Sequence, residues 1–309
     1  MDDRNKVDLT GQQLTVCPEW LEGQTALEEL WLDDNQLSTL PRTIGQLTQL
    51  KNLSLYHNRL AALPASLWQL HGLQTLNVSA NRLTILDDGI GQLTELQMLD
   101  LGHNELTRLP EAAGNLQKLR FLYLSHNHLT TLPASLRNLS QLIYLNITDN
   151  QLTAVSDWLG SLTNLIELRL YGNQLAQLPT TIGQLARLRE LHLMDNQLVA
   201  LPASIGNLGS LRKLDLQDNQ LHSLPPSLGS LTDLTDLNLR NNQVTALPEA
   251  IVNLKKLRFL DLRANKLVAL PVNLAELPHL EKLDLRWNRL AYQPEWLSQL
   301  VQRGCTVFI

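Results

Sequence analysis

A period of 23 residues is the feature that most constrains what this chain can fold into. One unit opens at Leu188 and reads LRELHLMDNQLVALPASIGNLGS, and the next opens at Leu211 with the same order of leucines. A fixed period of this length predicts a solenoid, because such a unit buries its apolar face only against its neighbours. The spacing holds through twelve full units, which open at Leu27, Leu50, Leu73, Leu96, Leu119, Leu142, Leu165, Leu188, Leu211, Leu234, Leu257 and Leu280.

The repeat also sets the expected domain organisation. A chain of 309 residues has the length of two ordinary domains, but an uninterrupted repeat predicts one. We therefore predict a single domain over residues 1–309. It consists of a degenerate N-terminal capping repeat at 1–26, twelve repeats at 27–302 and a C-terminal closing strand at 303–309.

Each repeat has an internal order that predicts local structure. The alternation around Leu191 and Leu193 predicts a short strand, and stacked strands would form one parallel sheet. An asparagine follows in every full repeat, and an inward amide there can satisfy loop backbone groups. The segment after the leucine-proline pair, such as residues 203–207, predicts a short helical or 3₁₀ turn on the opposite side.

The pattern L-x-x-L-x-L-x-x-N-x-L, followed by L-P-x-x-I-G-x-L, resembles leucine-rich repeats of the 23-residue class. The resemblance covers nearly the whole chain and implies an α/β fold, a right-handed leucine-rich-repeat solenoid. The helical side is bulkier than the strand side, so we expect a curved rod with its parallel sheet on the concave face. The L-P-x-x-I-G-x-L signature is similar to bacterial, plant Ras-group and Scribble-type intracellular members.

That resemblance implies a non-enzymatic scaffold that binds a protein partner on its concave face. Some bacterial relatives are effectors that carry a ubiquitin-ligase or other catalytic domain beside such repeats. The alternative function is therefore substrate recognition for an effector or ligase whose catalytic domain lies outside this chain. A small-molecule or carbohydrate binder is a third class, but it would need a deep pocket that a smooth sheet seldom offers.

Composition and motif searches narrow the function classes. The sequence has no P-loop, H-E-x-x-H, C-x-x-C or G-x-S-x-G motif, so we expect neither an enzyme nor a cofactor. The net charge of −5 argues against nucleic acid as a partner, and no apolar run has the length of a membrane span. Two cysteines near opposite ends and an N-terminus without an apolar signal segment favour a cytoplasmic location, or translocation into a host cell for an effector.

The outward positions of the strands carry three candidate sites. The first is a central cluster of large side chains with polar neighbours, which predicts a binding hot spot because aromatic residues anchor interfaces. Cross-strand packing that stiffens the sheet is the alternative explanation. The predicted partner-binding residues are Met98, Phe121, Tyr123, Tyr144, Arg169, Tyr171 and His192.

The second candidate is a charge ladder, and the third is a run of histidines. The ladder can be mutual ion pairing or a patch that steers a partner, and comprises Asp215, Arg240, Asp261, Arg263, Asp284 and Arg286. The run places His103, His126 and Asp149 in successive repeats, where two imidazoles and a carboxylate are ligand types for zinc. No second shell is evident around them, so we predict no metal site and regard these three as a weak candidate.

Overall fold

The computed structural model describes residues 5–309. The predicted cap begins at residue 1, and its first four residues lie outside the described range. The chain divides into two compact parts, an N-terminal half (Met1–Gln151) and a C-terminal half (Leu152–Ile309). The single-domain organisation and its internal boundaries stay predictions.

The described N-terminal half consists of three-residue parallel strands joined by 3₁₀ helices. Consecutive strands pair in register, as shown by Leu53 opposite Leu76 and Leu99 opposite Leu122. The strands are β1 (Lys6–Asp8), β2 (Glu29–Trp31), β3 (Asn52–Ser54), β4 (Thr75–Asn77), β5 (Met98–Asp100), β6 (Phe121–Tyr123) and β7 (Tyr144–Asn146). The 3₁₀ helices are Glu19–Gly23, Arg42–Gln46, Ala65–Gln69, Asp88–Gln92, Glu111–Asn115 and Ala134–Asn138.

The C-terminal half repeats this arrangement and ends in one α-helix and a strand. Its strands are β8 (Glu167–Arg169), β9 (Glu190–His192), β10 (Lys213–Asp215), β11 (Asp236–Asn238), β12 (Phe259–Asp261), β13 (Lys282–Asp284) and β14 (Thr306–Phe308). Its helices are the 3₁₀ segments Asp157–Ser161, Thr180–Gln184, Ala203–Asn207, Pro226–Ser230, Glu249–Asn253 and Val272–Glu276, and then α1 (Leu297–Gln302). Parallel strands alternating with short 3₁₀ turns confirm the predicted fold class.

The leucines of each repeat form the core. In β9, Leu191 is fully buried between two outward-facing residues, and Leu188 and Leu193 beside it are fully buried as well. Ile205 and Leu208 fill the core from the 3₁₀ side. The alternation of a strand therefore assigns one face to the core and leaves the other free for recognition.

The asparagine of each repeat satisfies backbone groups in the loop after the strand. The Asn219 amide nitrogen donates to the carbonyl oxygens of Leu193, Leu216 and Gln217 at 2.9, 3.1 and 3.2 Å. Its amide oxygen accepts the backbone N–H of Leu198 at 3.0 Å. Asn58 makes the equivalent contacts in the N-terminal half. These bonds confirm the predicted role of the asparagine, because each links its own repeat to the preceding one.

A glycine in the 3₁₀ helix allows successive repeats to approach closely. A methyl group placed on Gly206 would lie 2.3 Å from the backbone oxygen of Ser227 in the next repeat. Gly183 and Gly229 are equally restricted, at 2.4 Å from Ser204 O and 2.3 Å from Ala250 O. In these repeats the close approach of the next repeat, and not backbone conformation, restricts the position to glycine. Other repeats have Trp68, Arg137, Val252 or Ala275 at the equivalent position.

Replacing Gly206 with alanine is expected to lower the free energy of unfolding by about 1 kcal/mol or more, because a backbone oxygen cannot rotate out of the way. Gly209→Ala is the matched control, since a methyl group there meets nothing within 4 Å. Urea denaturation of the two variants measures the difference. Equal midpoints would contradict this explanation of the glycine.

Several repeats depart from the consensus, and a hydrogen bond accounts for one of the departures. Asp87 replaces the usual proline, and its carboxylate accepts the backbone N–H of Gly89 at 2.8 Å, which caps the 3₁₀ helix. Ala113 replaces a larger aliphatic residue and lines a small internal cavity of about 10 Å³. Ser156 also replaces proline, but its side chain forms no capping hydrogen bond.

Candidate interaction surface

The outer face of the sheet, defined here as the side opposite the leucine core, carries the variable side chains. In β6, Leu122 is buried while Phe121 and Tyr123 are half-buried on the other side. The residues flanking the central leucine form a first and a second column across the strands, because successive strands pair in register. A third column follows each strand, at positions such as Ser125.

The aromatic patch, comprising Met98, Phe121, Tyr123 and Tyr144, lies on the outer face of the N-terminal half. Met98 is opposite Phe121, and Phe121 is opposite Tyr144, in the strand register. The rings of Tyr123 and Tyr144 are 4.9 Å apart and inclined by 38°. The guanidinium of Arg120 lies 5.8 Å from the Phe121 ring. All four patch side chains are half-buried, so they combine fixed positions with surface that a partner can cover.

The other three predicted partner-binding residues lie in the C-terminal half. Tyr171 and Arg169 are half-buried, and the Arg169 Nε donates to Glu167 Oε1 at 2.5 Å. The sequence predicts an accessible contact at His192, but the structure leaves only 6% of this residue exposed. Its ring packs against the carboxylates of Glu190 and Glu167, which flank it on β9 and β8. His192 is therefore a buried member of a polar network.

This network is the group of potential metal ligands that the described residues bring together. The ligand atoms of Glu167, Glu190 and His192 lie within 4.8 Å of one another. His192 Nε2 is 3.1 Å from Glu190 Oε2 and 3.9 Å from Glu167 Oε1. Carboxylate and imidazole groups are suitable ligands for zinc, but the carboxylate of Glu167 is already paired with the guanidinium of Arg169. Sequence analysis missed this cluster, although Glu167 and Glu190 are neighbours in the first column.

Burial lowers the pKa of His192, and the nearby charges of Lys213 and Arg169 lower it further, while Glu190 opposes the shift. The pKa of histidine in an unfolded chain is about 6.5. A histidine whose pKa is lower than this in the folded protein binds protons less readily there than in the unfolded chain. Its contribution to stability is therefore complete above that value and is lost as the pH falls below it.

We expect the melting temperature of the native protein to fall more between pH 7.5 and 5.5 than that of a His192→Gln variant. Glutamine keeps a hydrogen-bonding side chain but cannot gain a proton in this pH range. His222→Gln, at an exposed histidine, is the matched control. Thermal unfolding monitored by circular dichroism at several pH values provides the measurement. Parallel curves for native protein and His192→Gln would show that His192 does not control the acid response.

The histidine run occupies a column with an unusual backbone. The residue before the repeat asparagine has a positive φ throughout both halves, including 51° at His103, 52° at His126 and 53° at Asp149. Histidine, aspartate, asparagine and glycine are the residues that tolerate this left-handed conformation best. Nine of the twelve residues in this column are histidine, aspartate, asparagine or glycine, and the other three are Ala80, Ala264 and Trp287. The composition of the column is therefore a signal in the sequence for this conformation.

The three residues of the weak metal candidate are close to one another. The rings of His103 and His126 stack at 4.0 Å, and His126 Nε2 lies 3.3 Å from Asp149 Oδ2. Burial and the neighbouring His126 lower the pKa of His103. The backbone preference gives a structural reason for these residue types at these positions. That these residues form no metal site stays a prediction.

The charge ladder has a buried centre. The side chain of Asp284 is fully buried, and its carboxylate accepts hydrogen bonds from Arg286 at 2.7 and 3.0 Å. Arg263 lies 3.4 Å from the same carboxylate and also pairs with Asp261. The Phe308 ring of β14 covers this group, with the Arg286 guanidinium 4.7 Å from its centre. Asp261, Arg263, Asp284 and Arg286 therefore form a packed ion network, in which Asp284 is buried although strand alternation places it on the outer face.

Opposing effects act on the Asp284 carboxyl. Its burial disfavours ionisation, but the hydrogen bonds from Arg286 and the charges of Arg263 and Arg286 outweigh burial and hold the pKa below its ordinary value. Asp284 is therefore charged at neutral pH. Asp215 and Arg240, the other two residues of the predicted ladder, are half-buried on β10 and just after β11.

A groove on the outer face of the C-terminal half was not predicted. It crosses β10, β11, β12 and β13, has a volume of about 240 Å³, and its lining includes Leu214, Leu237 and Leu260, the middle residues of three of these strands. Neither periodicity nor motif signals a groove of this kind, because it results from the relative sizes of neighbouring outward side chains. It is the candidate ligand-binding depression on this surface.

Neither cysteine is poised as a nucleophile. Burial raises the pKa of the Cys17 thiol to about 11 and also raises that of Cys305. The thiolate is the reactive form, so both side chains are protonated near neutral pH. Within residues 5–309, no helix combines the length and apolar character needed to cross a bilayer.

Family models and solved structures agree on the protein family of this chain. A model described as leucine-rich repeat region matches residues 89–194, and two described as leucine-rich repeat match residues 5–60, 209–267 and 276–292. A leucine-rich repeat protein of Leptospira interrogans is 35% identical, with a TM-score of 0.90, over 96% of this chain and 76% of that one. This chain belongs to the leucine-rich repeat family.

Other similar structures widen the comparison for this leucine-rich repeat protein. An internalin of Listeria monocytogenes is 25% identical over 98% of this chain and 86% of that chain, with a TM-score of 0.86. A plant peptide hormone receptor, RGFR1 in complex with RGF2, is 33% identical with a TM-score of 0.74. The match covers 92% of this chain and 51% of the receptor chain. None of the curated proteins matches the chain.

Proposed function

We propose that this leucine-rich repeat protein is a non-enzymatic module that binds a protein partner on the outer face of its sheet. The observation that carries the proposal is the aromatic patch of Met98, Phe121, Tyr123 and Tyr144. Aromatic side chains and methionine are enriched at protein interfaces, and aromatic rings bury large areas for little loss of conformational freedom. Among the described residues, the buried core contains no methionine, phenylalanine or tyrosine, which supports a role in recognition for the patch.

The geometry of the patch supports the same function. The tilted packing of Tyr123 on Tyr144 holds both rings in place before a partner arrives. Preorganised side chains lose less entropy on binding, so their buried area contributes more to affinity. The RGFR1 structure, a receptor in complex with RGF2, provides a precedent for ligand binding by a similar fold.

A variant carrying Tyr123→Ala and Tyr144→Ala is expected to keep its melting temperature and lose its partner. Truncation of hot-spot residues typically weakens binding by at least ~2 kcal/mol, or roughly thirtyfold. The fold should tolerate the change, because both rings lie on the side opposite the leucine core. Partner capture from lysates by the immobilised protein, followed by titration of the purified partner, measures the loss.

Val199→Ala is the matched control, because it removes an exposed apolar side chain that lies outside the three columns of the outer face. It should change neither stability nor binding. A much lower melting temperature of the double variant would mean that the tyrosines serve cross-strand packing. Full binding by a stable double variant would move the interface away from the aromatic patch.

A further inference from the structure

The walls of the groove in the C-terminal half carry an ordered set of charges. The first column contributes Lys213, Asp236, Phe259 and Lys282, one from each of β10 to β13. Along the stacking direction the wall therefore reads positive, negative, aromatic, positive. Asp215, opposite Asn238 in the second column, adds a further negative charge near the first two strands.

The carboxylates of Asp215 and Asp236 are available to a cation. Among residues 5–309, no lysine or arginine nitrogen pairs with either group within 4.0 Å. Asp215 Oδ1 accepts the backbone N–H of Gln217 at 3.2 Å, and Asp236 Oδ2 accepts the Thr235 hydroxyl at 2.6 Å. Both partners are neutral donors. Asp261, the third carboxylate of the groove, differs because it pairs with Arg263.

The aromatic part of the groove is held in position. The Arg258 guanidinium lies 5.1 Å from the centre of the Phe259 ring. Arg258 is itself fixed by two hydrogen bonds to Glu281, at 2.7 and 2.9 Å. Phe259 stays half-buried, so part of its ring offers an apolar contact inside the groove.

The dimensions of the groove suit a short extended segment. Four strands spaced about 4.8 Å apart span about 14 Å, and an extended chain advances about 3.3 Å per residue. Four to five residues therefore cross the groove. Because successive side chains of an extended chain alternate in direction, those that face the first-column wall stand at every second position, about 6.6 Å apart.

We propose that this groove binds an extended segment of a protein partner that carries a basic side chain two positions from an apolar one, with an acidic residue near either end. The basic group pairs with Asp215 and Asp236, the apolar group packs on Phe259, and the acidic groups meet Lys213 and Lys282. The inference rests on the proposed protein-binding function and specifies the chemistry of the partner. It places this recognition in the C-terminal half, separately from the aromatic patch.

The test uses a phage-displayed library of random twelve-residue peptides, selected on the immobilised full-length protein. Selected peptides should share a lysine or arginine two positions from an apolar residue, with acidic residues within five positions. A synthetic, fluorescently labelled copy of the most enriched peptide is then titrated against purified variants by fluorescence anisotropy.

Three variants assign the binding to the groove. The double variant Asp215→Asn, Asp236→Asn should bind the peptide at least tenfold more weakly, because it lacks both charges that face the basic group. Lys282→Glu should convert the preference for an acidic residue at one end into a preference for a basic one. Asp195→Asn with Glu276→Gln is the matched control, as both residues are exposed carboxylates of the same half outside the groove. Melting temperatures of all variants verify that the fold is intact.

The inference is overturned if no peptide is enriched, if the enriched peptides lack a basic residue, or if the Asp215/Asp236 variant binds as tightly as the native protein. Peptides that match a segment of this chain would identify a second copy as the occupant and would also overturn it. If the peptides bind the Asp215/Asp236 variant but not the Tyr123/Tyr144 variant, the result would support the proposed function and overturn the inference about the groove. Loss with the groove variant alone would support the groove and leave the aromatic patch without support.

Discussion

Leu168→Ala is expected to lower the free energy of unfolding by about 2–5 kcal/mol. Leu168 is the fully buried centre of β8 and lies opposite Leu191 of β9. Its truncation removes apolar surface from the core and leaves a cavity that the tightly stacked repeats on this side cannot close. Urea denaturation gives the free energy, and thermal unfolding gives the shift in melting temperature.

Val268→Ala is the comparison for this truncation, because that side chain is 53% exposed in the same half of the chain. It should leave the unfolding midpoint nearly unchanged. A native-like melting temperature for Leu168→Ala would contradict the register that assigns the middle residue of each strand to the core.

Asn219→Ala is expected to destabilise the protein by about 1–3 kcal/mol, since it leaves the buried backbone N–H of Leu198 without its acceptor. Three carbonyl oxygens also lose one donor each, although each keeps a second donor, from Asn196, Asn242 or the backbone N–H of Asp195. The loss of stability should affect both repeats, because the asparagine connects them. Urea denaturation again provides the measurement.

Asn219→Asp separates the two functions of the amide. Aspartate can still accept from Leu198, but it cannot donate to the carbonyl oxygens and places a negative charge beside them. We expect at least as large a loss as with alanine. Asn207→Ala, at an exposed asparagine one helix earlier, is the control and should have little effect. A neutral Asn219→Asp variant would mean that donation to the carbonyl oxygens contributes little.

The sequence predicted the repeat architecture because one physical requirement recurs every 23 residues. Leu191, Leu193 and Asn196 have equivalents throughout, so each position is specified many times by the same contacts. The strands, the 3₁₀ turns and the inward asparagine amides all followed from that regularity. The predicted location of the aromatic patch on outward strand positions also followed, because side chains alternate along a strand.

The candidate site was less predictable, because it depends on how particular side chains pack. Asp284 and His192 occupy outward columns, and alternation alone placed both on the surface. The structure buries Asp284 beneath Arg286 and Phe308, and His192 against Glu167 and Glu190. A column identifies which face a residue occupies, but long neighbours decide whether water reaches it. The groove could not be predicted from the sequence for the same reason.

Several expectations from the sequence remain predictions. These are the single-domain organisation, the cytoplasmic location, the link to effectors or ubiquitin ligases, and the partner-binding residues themselves. The experiments on Tyr123, Tyr144, Asp215 and Asp236 address the last of these directly.

The asparagine ladder has a consequence for how such a gene can change in length. Each amide reaches carbonyl groups 26 and three residues before it and accepts an N–H 21 residues before it, as at Asn242. Excising or duplicating 23 codons, or a multiple of 23, joins two partners of the same kind, whereas an excision of another length joins an asparagine to the wrong backbone groups. Unequal recombination between repeats can therefore lengthen or shorten the protein in whole steps, and each step adds or removes one row of outward side chains for selection to modify.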